Sequence, residues 1–131
     1  MFINKLRRFR KGRLCGVVKV FSTIRGCSVK AMEPGCLTLY QIEACRKIIK
    51  AFVKDLKIKK FSILLRPYPN IGRSRKKKGL RMGASKGEFS YYVQRVRTGA
   101  ILFEFTGIFS THFTNILSIA LRRLPIRTAI V

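Results

Sequence analysis

The spacing of apolar positions changes several times along this chain, and the changes divide it into elements. "LCGVVKVFS" (14–22) and "CSVKAME" (27–33) are rich in Val and bounded by Gly and Pro, which predicts two strands. From residue 38 the period lengthens. Ile42, Cys45, Ile49, Phe52, Val53 and Leu56 recur at helical spacing and predict one buried face. Thr38 with Gln41 three residues later is a capping box, so the helix starts there. "FSILLR" (61–66) reads as a strand, ended by Pro67 and Pro69 because proline cannot continue a ladder. "SYYVQRV" (90–96) and "AILFEF" (100–105) predict two more strands, with Thr98-Gly99 as a tight turn between them. A second helix is predicted over 110–124, capped by Ser110 or Thr111, with Phe113, Ile116, Leu117, Ala120 and Leu124 as its buried stripe. Arg122 and Arg123 complement its C-terminal dipole and Pro125 stops it. "PIRTAIV" offers a last strand.

Residues 70–87 carry no period and read as one long loop rich in Gly, Lys and Arg. There are no internal repeats. The order β-β-α-β-loop-β-β-α predicts a single α+β domain, with two helices packed on a mixed, mainly antiparallel sheet.

Charge narrows the function classes. The 131 residues hold 29 Lys+Arg against 5 Asp+Glu, a net charge of +24. Such self-repulsion opposes compaction unless a polyanion offsets it. Nucleic acid is the first candidate and an anionic membrane surface the second. Residues 1–13, with Lys5, Arg7, Arg8, Arg10, Lys11 and Arg13, form a basic arm too charged to fold alone. That leaves 14–131 as the α+β RNA-binding domain, with the loop 70–87 projecting. The first 21 residues contain no acid, so a mitochondrial presequence fits them as well as a retained RNA-binding arm. The longest charge-free run, 105–121, is too short and polar to span a membrane. Glu43, Arg46, Lys47, Lys50 and Lys54 fall mainly off the apolar helix face. That cationic surface is either solvated or in contact with RNA.

Cys15, Cys27, Cys36 and Cys45 form no C-x-x-C pair, and His112 is the one histidine. Zinc sites show paired ligands at short spacing, so no metal and no cofactor is expected. The thiols read as small buried hydrophobes in a reducing compartment.

"GLRMGASKG" (79–87) contains G-x-S-x-G, the spacing of a hydrolase nucleophile elbow. An elbow needs a buried strand before Ser85, a helix after it, and a histidine and carboxylate as partners. Here a cationic loop precedes Ser85, Glu88 and a strand pattern follow, and only His112 is available as a base. A Walker loop is absent as well. The phosphate reading needs less: glycines let backbone N–H groups approach an anion, and Arg73, Arg75, Lys76, Lys77, Lys78, Arg81 and Lys86 supply charge. The plain alternative is a solvated loop tip.

From about Gly35 to Val131 the chain resembles the universal large-subunit ribosomal protein of the L-sixteen family. The resemblance rests on "GCLTLYQIEACRKIIK", "RPYP", "RMGASKGEFSYYV", "TGAILFEFTG" and "LPIRTAIV". The arm's "RFRKGR" is a shorter version of the family's K-F-R-K-x-x-K-G-R. Where the family's loop reads R-M-G-K-G-K-G, this chain has Ala84 and Ser85, and Thr98 replaces the proline of the family's P-G turn. The resemblance implies a structural, non-enzymatic role in translation. The implied partners are large-subunit rRNA, tRNA in the aminoacyl and peptidyl sites, and neighbouring large-subunit proteins; neither membrane insertion nor a homo-oligomer is expected. By the same resemblance Arg81, Met82, Gly83, Lys86 and Gly87 belong to a loop near tRNA. Phe9, Arg10, Lys11, Gly12 and Arg13 belong to the arm, and Gln41, Ile42 and Glu43 to the first helical turn. Abundant Phe, Ile and Lys with few acids point to a mitochondrial ribosome ahead of a plastid or bacterial one. A serine hydrolase using Ser85 and a cationic membrane-surface protein are the competing readings.

Overall fold

The computed structural model describes residues 14–22, 26–57, 60–79, 81–83, 87–107 and 111–131, without the side chains of 111 and 112. The arm 1–13, the cap at Ser110, loop residues 84–86 and the His112 side chain lie outside the described residues. Among the described residues, seven strands and two helices follow in the order β1 (Cys27–Ala31), β2 (Gly35–Thr38), α1 (Leu39–Asp55), β3 (Ser62–Leu65), β4 (Ile71–Arg75), β5 (Glu88–Val96), β6 (Ile101–Thr106), α2 (Thr111–Leu121) and β7 (Thr128–Ile130). The α+β class is as expected. The ladders, however, are split between two sheets of order β3-β6-β1-β7 and β2-β5-β4, and every strand pair is antiparallel.

Register explains how the larger sheet builds the core. Residues opposite one another across a ladder share a face. Ile63, Phe105 and Cys27 form one row across three strands, and Leu65, Phe103 and Val29 form the next. Phe105 is the hub of an aromatic cluster, with ring centroids 6.0 Å from Phe61, 5.7 Å from Phe113 and 6.2 Å from Phe103. The row between these two, Leu64–Glu104–Ser28, points to the opposite face and holds the buried polar residues Glu104 and Ser28.

α1 begins as expected. Thr38 Oγ1 accepts from the Gln41 amide at 3.3 Å, and the Thr38 amide donates to Gln41 Oε1 at 2.9 Å. Its buried face is narrower than the sequence suggests: Ile42, Cys45, Ile49 and Val53 are buried, Phe52 is half-buried and Leu56 is exposed. Phe52 sits on the flank of the stripe, and Leu56 is the C-cap, past the last packed turn. α2 ends at Leu121, with Arg122 and Arg123 just beyond it. Leu121 joins its buried stripe, while Ile116 is half-buried.

Two further expectations change. Residues 14–22 are not a strand; they make a single parallel bridge, Val17 to Thr98, with the Val18 amide 2.8 Å from the Thr98 carbonyl. Val17 and Phe21 remain exposed, so the apolar pattern there has no face to bury. The bridge leaves no room for a side chain at Gly99, whose φ is +82° and whose Cβ would fall 2.2 Å from the Val18 carbonyl oxygen. The expected tight turn is present, closed through the Ala100 amide and the Arg97 carbonyl at 3.2 Å, and the strands it joins enter different sheets. The expected loop 70–87 is shorter, because 71–75 pairs with β5 as β4.

Candidate nucleic-acid interface

Two cationic features follow from this architecture. The first is the tip of the β4–β5 hairpin. Pairing runs from Ile71 with Val93 to Arg75 with Glu88, so residues 76–87 close the far end of a two-stranded ribbon. Arg75, Lys76, Lys77, Lys78, Arg81, Met82 and Gly83 are all exposed there. Met82 is 101% exposed, a long apolar side chain given wholly to solvent and next in sequence to Arg81. The loop ends where the backbone doubles back tightly, since a Cβ on Gly87 would lie 2.7 Å from the Arg75 carbonyl carbon. The Lys77–Glu88 pair at 3.1 Å is exposed on both sides and adds little stability.

The structure moves one residue that the sequence grouped with this loop into a strand. Arg73 is half-buried within β4, and its Nη2 reaches Cys36 Sγ at 3.7 Å. Lys86, like Ser85 beside it, lies outside the described residues, as do Lys5, Arg7, Arg8, Arg10, Lys11 and Arg13 of the arm. An elbow around Ser85 is unsupported on its C-terminal side, where β5 follows instead of a helix.

The second feature is a cleft of about 800 Å³ between α1 and the start of β3. Arg46, Lys50 and Lys54 repeat every fourth residue along α1 and share one helix face. Lys57 extends this line past the helix end. Its φ of +53° is a left-handed conformation that side chains other than glycine adopt at a cost of about 1–2 kcal/mol. Phe61 and Ile63 supply an apolar wall, and none of the lining residues is acidic. The sequence showed the helix cations but not Lys57 or the wall, because β3 meets α1 only in the folded chain.

Acids are used sparingly around these features. Glu33 pairs with Arg127 at 3.2 Å, Glu88 with Lys77, and Glu104 with Arg66 at 2.8 Å. Burial pushes the Cys45 thiol up to about 11 and raises that of Cys27 as well. Among the described residues, no group of three or more His, Cys, Asp and Glu side chains is arranged to hold a metal ion, and no helix is long and apolar enough to cross a membrane.

A small α+β protein with a cation-lined helix and a basic hairpin tip is thus defined. The chain belongs to the ribosomal protein L16p/L10e family, whose family model matches residues 4–131. It is 35% identical over 130 residues to the large ribosomal subunit protein uL16c of Emiliania huxleyi, covering 98% of this chain and 91% of that one. Identity is 33% to the uL16 protein of Rhodopseudomonas palustris, covering 98% and 92%, and 35% to that of Gluconacetobacter diazotrophicus, covering 98% and 91%. The chain is therefore a ribosomal protein serving translation, of a family that is generally non-enzymatic.

Proposed function

We propose that the chain is a structural constituent of the large ribosomal subunit, bound to large-subunit rRNA and shaping the aminoacyl-tRNA site near the peptidyl transferase centre. The observation that carries this reading is the unbroken cation line Arg46–Lys50–Lys54–Lys57 along an acid-free cleft. Such a line suits a phosphate backbone, which is recognised by charge and position and not by sequence. The domain 14–131 sits on rRNA through this cleft, and the arm 1–13 adds six cations from Lys5 to Arg13. The hairpin tip, with Arg75, Lys76, Lys77, Lys78, Arg81, Met82, Gly83, Lys86 and Gly87, reaches tRNA in the aminoacyl and peptidyl sites. Arg81 offers a planar fork that binds phosphate and stacks on bases, and the exposed Met82 adds an adaptable apolar contact. Arg73, half-buried against Cys36, steadies the ribbon and contacts RNA at its base. Neighbouring large-subunit proteins complete the surroundings. The low acid content supports a mitochondrial matrix ribosome.

The test is the salt dependence of binding between the full chain and a large-subunit rRNA fragment. With roughly six to ten phosphates engaged at about 0.7–0.9 each, the slope of log affinity against log salt is steeper than about −4. A flat dependence would remove the phosphate argument.

A further inference from the structure

A second cleft, of about 390 Å³, lies between the first turns of α1 and the chain 65–70. Its floor is apolar, with Ile42 buried and Leu65 half-buried. Tyr68 and Tyr92 flank it. Tyr68 is 65% exposed, so core packing does not account for its ring. It stands between Pro67 and Pro69, whose rings fix φ on either side of it and restrict the backbone that carries the ring. The result is an exposed aromatic surface on a stiffened backbone.

Two charged residues say what stacks there. Arg46 lines both this cleft and the cationic one, so a phosphate track along α1 leads to its mouth. Glu43 also lines the cleft. It is one of five acids in the chain, and it makes no ion pair with any described residue. A carboxylate beside a phosphate track is repelled unless it accepts hydrogen bonds from the ligand. Among RNA bases, guanine offers two adjacent donors, N1–H and N2–H, that match a carboxylate's two oxygens. Asn70 at the rim adds both a donor and an acceptor.

We propose that this cleft takes one unstacked guanine base from the bound RNA, with its ring on Tyr68 and its donor edge on Glu43. Splayed-out bases stacked on aromatic side chains are the usual way proteins read RNA sequence. The inference rests on the rRNA-binding reading above and adds a base-reading site to it.

The experiment compares the full chain's affinity, at one salt concentration, for a fully paired RNA hairpin and for the same hairpin carrying one bulged G, A, C or U. The bulged-G hairpin binds tighter than the paired one by roughly fivefold or more, the range expected for one stacked base. Tyr68→Ala removes that margin and leaves the paired hairpin unaffected, whereas Tyr68→Phe keeps it. Glu43→Gln makes the four bulges equivalent. Equal binding of bulged and paired hairpins, or a bulge preference that survives Tyr68→Ala, would overturn the site. A guanine preference that survives Glu43→Gln would overturn the role of Glu43. If wild-type protein bound none of the hairpins, the rRNA-binding reading would fall, and this site with it.

Discussion

Arg66 donates from both Nε and Nη2 to a single oxygen, Oε1 of Glu104, at 3.0 and 2.8 Å. Glu104 lies at the centre of β6 with its side chain fully buried, while the Arg66 side chain keeps 37% of its surface in water. The Arg66 amide also donates to the Leu102 carbonyl at 3.1 Å, so the chain leaving β3 is held twice before Pro67. This anchors the segment that carries Tyr68. Arg66→Ala leaves a carboxylate in the core short of its cation and costs roughly 3 kcal/mol or more. The double change Arg66→Met with Glu104→Leu is much milder, because no charge remains buried. Urea denaturation of Arg66→Met, Glu104→Leu and the double variant measures the coupling. Additive losses would show that the pair is not coupled.

The aromatic hub gives a second stability prediction. Phe105 is fully buried against Phe61, Phe103 and Phe113, so Phe105→Ala costs about 3–5 kcal/mol as a cavity mutation. Phe52→Ala, on the half-buried flank of α1, costs less than about 2 kcal/mol. Equal losses in denaturant titrations would place the core elsewhere.

Part of this arrangement was legible in the sequence and part was not, for physical reasons. The start of α1 was plain because Thr38 and Gln41 signal through bonds three residues apart. β4 was hidden because "IGRSR" has one apolar residue and exists only by pairing with β5 across the hairpin. The sheet assignment of β5 and β6 was hidden too, since a turn at Thr98-Gly99 does not say whether the chain continues in the same sheet. Cations at the hairpin tip were visible from composition alone. The cleft beside Tyr68 was not, because α1, the chain 65–70 and β5 bring its walls together from distant positions. "RPYP" read as the end of a strand and as part of the family resemblance, and neither reading showed a cleft.

The thiols supply a prediction in pH. The folded value for Cys45, about 11, lies above its ordinary 9.0, so folding favours the neutral thiol. The stability this contributes is complete below pH 9 and is lost as pH rises towards 11. The measurement compares wild type with Cys45→Ala, so that the thiol's own contribution is read. The wild type loses more stability across that window. Iodoacetamide at pH 8 should alkylate exposed Cys15 well before buried Cys45. Equal labelling rates in the native protein would contradict the buried assignment.

The division of labour between helix and hairpin tip is the centre of this account. It is tested most directly by ribosomal subunit profiles and tRNA binding for two variants, Lys50→Ala with Lys54→Ala in the cleft and Arg81→Ala in the loop. All three side chains are exposed, so neither variant disturbs the core. The cleft variant is predicted to enter large subunits poorly. Arg81→Ala is predicted to enter them normally but to weaken tRNA binding. If Arg81→Ala abolished incorporation while the cleft variant assembled normally, helix and loop would have to exchange roles.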